Sequence, residues 1–219
     1  MISQENYDIL KEKYGDVSSW AVWNTDYADS EPGRNIKDLS MFASPDLTEL
    51  NTGFVFVGLN RSGRPKDGNT EKKPDEPGDP WFNFHAGRND FKLRYALQGT
   101  RYWGSYITDA IKDHQETNSG EVEKTLRKDP KRVDENLKGL REELELLGGK
   151  PVLVALGYAA EKNLRRMRSE GYEVVRILHP ARYIGKRSIA IECWRSWTTF
   201  ENNEASNFEL HPTIQSERS

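Results

Sequence analysis

The amino-acid sequence predicts an α/β protein with a parallel sheet that carries helices on both faces. Three short runs of apolar, β-branched residues are predicted to be buried strands, at residues 53–58, 151–156 and 173–178. Between the last two runs, residues 158–170 repeat apolar side chains at helical spacing and stop at Gly171. A strand, a helix and a strand in this order give a parallel pair, which defines the fold class.

Two further helices and one long loop follow from the remaining patterns. Residues 131–147 place apolar side chains on one face and close with two glycines, which predicts an amphipathic helix. Another helix is expected over residues 90–98, followed by an aromatic, β-rich stretch at residues 101–111. Residues 62–80 are rich in glycine, proline, lysine and aspartate, and a loop of that length is usually functional or disordered.

Length and composition predict one domain. A chain of 219 residues can bury one sizeable core, and six Trp, nine Tyr and eight Phe are too many aromatic residues for a disordered protein. We expect a single domain over residues 1–202 and a flexible tail over residues 203–219. We recognise no targeting leader and no bilayer-length apolar run, so we expect a cytoplasmic protein without membrane contact. The single cysteine, Cys193, excludes an internal disulfide.

Positive charge is concentrated in two stretches, although the net charge is −3. Residues 176–187 contain four cations and no acid, and residues 84–101 contain four cations and one acid. Nucleic-acid binding depends on where the cations lie rather than on their sum, so this distribution is compatible with a nucleic-acid partner. The alternative for either stretch is a solvated charged face.

The residues that directly follow the predicted strands are the candidates for a site, because ligands of such folds bind at the carboxyl ends of the strands. The first strand runs into Gly-Leu-Asn-Arg-Ser at 58–62, the second into Leu-Gly at 156–157, and the third into His-Pro at 179–180. In this order the motifs resemble the uracil-DNA glycosylase superfamily over roughly residues 53–187. The resemblance implies a three-layer α/β/α sandwich around a mostly parallel, four-stranded sheet.

The resemblance assigns catalytic roles to Asn60 and His179. Asn60 takes the place of the family asparagine that positions the attacking water. Because an amide cannot take up a proton at neutral pH, the base must leave before water adds. His179 matches the family histidine that donates to O2 of the departing base, where negative charge accumulates. The alternatives are a turn-forming asparagine and a structural histidine.

Further contacts to the base and to DNA follow from the same resemblance. Phe84 or Phe82 would stack on the extruded base, with core packing as the alternative. Tyr183 would fill the gap left in the duplex, unless it is only an exposed turn residue. Arg61 and Ser62 replace the family Pro-Gly. The residues expected to contact DNA are Arg61, Ser62, Arg182, Tyr183, Lys186 and Arg187.

Asp109 is the most informative departure from the family pattern. The segment from Thr108 to Lys112 is similar to the family's Thr-Asn-x-x-Lys, whose asparagine accepts from uracil N3–H and donates to O4. An ionised carboxylate only accepts, so it would repel O4 and favour a base with an exocyclic amine, such as cytosine. Alternatively, burial would raise the pKa of Asp109 until the protonated acid mimics asparagine and retains uracil.

Together these features predict a monofunctional DNA glycosylase for cytosine or a modified cytosine, with a role in defence against phage DNA. Uracil excision in repair is the alternative substrate hypothesis. A DNA-binding protein without catalysis and a protein that binds a phosphorylated metabolite are alternatives of a different class. We find no phosphate loop and no zinc motif, so we expect DNA as the partner, a monomer, no cofactor and no metal.

Overall fold

A mixed five-stranded sheet forms the centre of the structure, a computed structural model that describes residues 1–24, 37–61, 79–85, 90–114, 116 and 118–180. The strand order is β1-β3-β2-β4-β5, in which β2 to β5 run parallel and β1 is antiparallel to β3. The strands are β1 Ser19–Trp20, β2 Asn51–Asn60, β3 Ser105–Ile111, β4 Val152–Leu156 and β5 Val174–Ile177.

Five α-helices occur in the described part of the chain, on both sides of the sheet. Helix α1 packs on α4, α4 lies against β3, and α5 lies against β4 and β5. Short 3-10 turns cover Ser40–Phe42, Leu47–Glu49 and Arg165–Glu170. The helices are α1 Gln4–Tyr14, α2 Phe91–Leu97, α3 Ser119–Lys128, α4 Pro130–Leu146 and α5 Tyr158–Leu164.

Helix α4 shows how local sequence fixes an element. Asp129 caps the helix by accepting a hydrogen bond from the backbone N–H of Arg132 at 3.3 Å, and Pro130 stands in the first turn, where no N–H is needed. The helix ends before Gly148, whose φ of +85° suits a residue without a side chain. Its apolar stripe is buried in the core through Val133, Leu137, Leu140 and Leu144.

The α/β class and the parallel β4-α5-β5 unit are confirmed. The expected count of four strands differs from the structure, because a fifth strand of two residues pairs at the sheet edge beside β3. Two residues carry too little pattern to be recognised in a sequence. Helices α1 and α3 were not predicted, and the predicted helix over residues 158–170 continues beyond Leu164 as a 3-10 turn.

The expected loop over residues 62–80 and the expected tail over residues 203–219 lie largely or wholly outside the described residues. The described residues all belong to one compact unit, so they contain no domain boundary. No helix within them is both long enough and apolar enough to span a bilayer.

Candidate functional site

The three residues on which the predicted site depends all lie at the carboxyl edge of the sheet. Asn60 ends β2, Asp109 lies near the end of the neighbouring β3, and His179 follows β5 by two residues. Gly58 pairs with Asp109, and Asn60 pairs with Ile111, so Gly58, Asn60 and Asp109 face the same side of the sheet. The parallel topology therefore brings residues that are far apart in sequence to one edge.

Asp109 is buried in a space that depends on Gly58. Its relative exposure is 3%. A β-carbon built on Gly58 would overlap Asp109 Oδ1 and would lie 3.6 Å from Phe84 Cζ. The absence of a side chain at Gly58 therefore leaves room for the carboxyl group, with the edge of the Phe84 ring beside it. This arrangement brings together two of the residues predicted to contact the base.

Burial raises the pKa of Asp109 from its ordinary value of 3.8 to about 7. The hydrogen bond from Asn83 and the positive charge of Lys112 oppose this shift, whereas Asp90 and Glu143 add to it. The side chain consequently changes between its acid and carboxylate forms near neutral pH. A group that titrates there can donate a proton as well as accept a hydrogen bond.

Asn83 holds the Asp109 carboxyl group, a role that sequence analysis missed. Its Nδ2 donates to the Val17 carbonyl at 2.7 Å and to Asp109 Oδ2 at 3.1 Å. Because a carbonyl only accepts, the Val17 contact fixes which end of the amide faces Asp109. The only signal in the sequence was a polar residue within the aromatic run 81–85.

The segment that carries Asn83 and Phe84 is anchored by Trp81. The Trp81 side chain is buried, and its Nε1 donates to the Tyr7 hydroxyl at 2.9 Å. Both Trp81 and Phe84 adopt positive φ angles, of 68° and 64°, which are uncommon for residues other than glycine. Such backbone strain persists only where the surrounding contacts enforce it, and it is concentrated at functional sites.

A buried ionic network lies behind Asp109 and was also missed. Lys112 Nζ contacts the Asp109 carbonyl oxygen and Glu143 Oε1, both at 2.6 Å. Thr108 Oγ1 donates to Glu143 Oε2 at 2.9 Å, and the Tyr106 hydroxyl lies equally close to that oxygen. A buried carboxylate requires such partners. Glu143 comes from the core-facing stripe of α4, so the network ties the end of β3 to that helix.

The Asn60 amide is occupied on its nitrogen side. Nδ2 lies 3.0 Å from the Arg61 carbonyl, 3.2 Å from that of His114 and 2.9 Å from that of Glu116. These contacts hold the segment after β3 against the end of β2. Because the nitrogen faces the carbonyls, Oδ1 points away from them, and an amide oxygen can accept a hydrogen bond from water. The three contacts of Nδ2 thus give Asn60 a structural role at the end of β2.

His179 is positioned by a glycine and a lysine. A β-carbon on Gly157, whose φ is +93°, would lie 3.0 Å from His179 Cβ, so the close approach requires glycine. The buried Lys92 donates from Nζ to the carbonyl of Pro180 at 2.9 Å and fixes the following residue. His179 is exposed on one side, yet lost solvation and then the Lys92 charge lower its pKa. A neutral imidazole is therefore expected at neutral pH.

The remaining predicted contacts have mixed outcomes. Phe82 is partly buried. Arg61 is buried, and its Nη1 lies 3.6 Å from Asp16 Oδ2, so this guanidinium faces the protein rather than an open surface. The other residues predicted to contact DNA lie outside the described residues; they are Ser62, Arg182, Tyr183, Lys186 and Arg187.

A cavity of about 430 Å³ lies at the opposite, amino edge of the sheet. Trp103 and Glu49, which line it, precede the starts of β3 and β2. None of the predicted site residues that the structure describes borders this cavity. It is therefore separate from the candidate site.

Comparison of the chain with models of known protein families and with curated protein sequences gave no match. The residues at the carboxyl edge of the sheet and their geometry are therefore the basis on which a function can be proposed.

Proposed function

We propose that the chain is a monofunctional DNA glycosylase that removes cytosine or a modified cytosine from DNA. The observation that carries the proposal is the buried Asp109 carboxyl group, which lies in the space above Gly58 beside the Phe84 ring. Asn60 and His179 stand at the same edge of the sheet. A carboxyl group, a water-holding amide and a neutral imidazole are the groups that this cleavage needs.

Asp109 supplies both recognition and a proton. Because Asn83 donates to Oδ2, that oxygen acts as an acceptor, and the proton of the acid form resides on Oδ1. An acid of this kind donates from Oδ1 to N3 of cytosine, while Oδ2 accepts from the exocyclic amine. Cytosine is a poor leaving group, so proton transfer to N3 assists its departure. With a pKa of about 7, Asp109 holds the proton in part at neutral pH.

Bond cleavage then proceeds by dissociation. The electron pair of the glycosidic bond goes to N1 of the base, which leaves as neutral cytosine after receiving the Asp109 proton. His179 donates an N–H hydrogen bond to O2 and stabilises the charge that develops there. Water held by Asn60 Oδ1 adds to C1′ of the oxocarbenium-like sugar and releases its proton to solvent or to the Asp109 carboxylate.

Two alternatives have specific support. The raised pKa of Asp109 also permits a protonated acid that mimics asparagine and accepts uracil. The three carbonyls around Asn60 Nδ2 provide a structural reason for Asn60, as expected for a DNA-binding protein without catalysis. The cytosine hypothesis predicts release of a cytosine-type base, and the uracil hypothesis predicts release of uracil. The non-catalytic hypothesis predicts DNA binding without release of any base.

The test is a panel of duplexes that differ at one base: cytosine, 5-hydroxymethylcytosine, its glucosylated form, uracil and hypoxanthine. Abasic sites are counted in single-turnover reactions with the full chain and with its Asn60→Ala variant. We expect release of a cytosine-type base by the wild type and its loss in the variant, with DNA affinity retained. Fast release of uracil alone would overturn the cytosine proposal. Binding without any release would favour the non-catalytic alternative.

A further inference from the structure

Three arginine side chains surround one buried glutamate on the outer surface of α5 and β5. The carboxylate of Glu161 lies 3.1 Å from Arg165 Nη2, 3.6 Å from Arg168 Nη2 and 3.3 Å from Arg176 Nε. Arg165 follows the end of α5, Arg168 belongs to the 3-10 turn, and Arg176 comes from β5. We call these three arginines, together with Tyr158, the arginine patch.

The patch carries more positive charge than Glu161 neutralises. Glu161 is the one carboxylate within ion-pair distance of these arginines among the described residues. Three guanidinium groups around a single carboxylate leave a surplus of two positive charges. About half of each arginine side chain is exposed, with values of 48%, 49% and 51%. Arg168 also donates from Nη2 to the Val174 carbonyl at 2.8 Å, which gives it a structural role. Neutralising Glu161 requires one arginine, so Arg165 and Arg176 together carry more positive charge than the ion pair needs.

Tyr158 places an aromatic ring within this charge. It is 56% exposed, which makes it one of three large apolar side chains exposed among the described residues. The guanidinium carbons of Arg165 and Arg176 lie 5.8 and 5.9 Å from the centre of its ring. An aromatic ring held between exposed guanidinium groups suits a nucleic acid, because phosphates meet the cations and sugars or bases meet the ring.

Residues of the arginine patch are close in sequence to residues of the candidate site. Tyr158 directly follows Gly157, the residue against which His179 packs. Arg176 lies in β5, and His179 follows three residues later, so at about 3.3 Å per residue of extended chain their backbones are at most about 10 Å apart. That distance corresponds to about three nucleotides of rise along one strand of duplex DNA. The patch is therefore within reach of the backbone of a DNA molecule whose base lies at His179.

We propose that the arginine patch binds the phosphates of the DNA strand a few nucleotides from the excised base. This inference rests on the proposed function for its choice of partner. The contact is electrostatic and independent of sequence, so it orients the duplex without selecting the base. It adds a DNA-binding surface on α5 and β5.

The test compares the salt dependence of duplex binding by the full chain and by the Arg165→Ala/Arg176→Ala double variant. Each lost phosphate contact is expected to reduce the slope of log affinity against log salt by about 0.9, so the double variant loses about 1.8. Affinity at about 0.1 M salt should fall at least about tenfold. Base release at saturating DNA should be unchanged, because neither arginine touches the reacting groups.

The matched control is Arg101→Ala. Arg101 is also exposed and also stacks on an aromatic ring, with its guanidinium carbon 5.1 Å from the ring centre of Tyr102. It precedes β3 and therefore lies at the opposite edge of the sheet. Its removal should leave the salt slope unchanged, whereas an equal loss in this control would overturn the assignment of the surface.

Glu161→Gln is a variant in which the affinity for DNA is expected to rise, in contrast to the arginine variants. It removes the neutralising charge and keeps the shape of the side chain, so duplex affinity should rise by about fivefold to tenfold. A purely structural cluster would instead lose thermal stability with no gain in affinity. Unchanged slopes in the double variant, or absence of any DNA binding, would overturn the proposal. If the double variant binds DNA more weakly but the wild-type chain releases no base, the arginine patch would stand as a DNA-binding surface. The glycosylase proposal would then be rejected.

Discussion

Asn83 Nδ2 lies 3.1 Å from Asp109 Oδ2, and the same nitrogen donates to the Val17 carbonyl at 2.7 Å. The second contact fixes the orientation of the first, so one carboxyl oxygen of Asp109 is always presented with a donor. The other oxygen, Oδ1, lies above Gly58. Protonation of Asp109 is thereby assigned to the oxygen that faces this space, which gives the carboxyl group a defined donor and a defined acceptor.

Asp109→Asn should change the base that is released. An amide retains a donor and an acceptor but cannot transfer a proton, so release of cytosine-type bases should fall by about 100-fold or more. Uracil release should be retained or increased, because the amide restores the pattern that reads uracil. Single-turnover assays on matched cytosine and uracil duplexes measure the ratio. Equal loss on both bases would show that Asp109 does not select between them.

Asp109 should make stability depend on pH in a defined window. The unfolded carboxyl ionises near 3.8, while the folded one keeps its proton up to about 7. The stabilisation is therefore complete below about pH 4 and is lost as the pH rises to about 7. Asp109→Asn should accordingly raise the free energy of unfolding at pH 8 by up to about 4 kcal/mol, and little at pH 4. Urea denaturation at both pH values tests this difference.

Asn83→Leu should shift the pH profile of base release. The Asn83 hydrogen bond lowers the pKa of Asp109, so its loss should raise that pKa and move the alkaline limb of the profile to higher pH. We expect about a tenfold loss of rate as well, because the carboxyl group loses its fixed orientation. The control is Asn163→Leu, which removes an amide that donates to the Ala159 carbonyl at 2.8 Å. An identical pH profile in both variants would reject the positioning role.

Gly58→Ala should reduce the rate of base release much more than it reduces the stability of the fold. The new β-carbon overlaps Asp109 Oδ1, so either the carboxyl group or strand β2 must move. We expect base release to fall at least about 100-fold and stability to fall by about 1–3 kcal/mol. Gly139→Ala is the control, because nothing lies within 4 Å of a β-carbon there and helix α4 should gain up to about 1 kcal/mol. Wild-type rates in Gly58→Ala would show that base release does not depend on the position of the Asp109 carboxyl group above Gly58.

Local signals in the sequence predicted strands β2, β4 and β5 and helices α2, α4 and α5. The β-branched runs that became β2 and β4 are largely buried, and such strands appear in a sequence as continuous apolar stretches. The run that became β5 lies at the sheet edge and exposes Arg176. Strand β1 and helix α3 were not predicted, because their sequences contain too little apolar pattern. The first has two residues, and the second buries only Val122 and Leu126 in a highly charged segment.

Some features of the candidate site could also be predicted from the sequence, whereas others depend on the tertiary structure. The sequence by itself determined that Asn60 and His179 lie at strand ends, because strand ends are marked by local turn signals. Asp109 was singled out by the resemblance of its motif and not by a strand-end signal. Only the tertiary structure decided what surrounds them: the Asn83 donor from a loop, the Glu143 carboxylate from α4 and the burial of Asp109. These contacts join residues many positions apart, and long-range packing leaves no periodic trace in the chain. The pKa of Asp109, and with it the chemistry open to this side chain, is set by that packing.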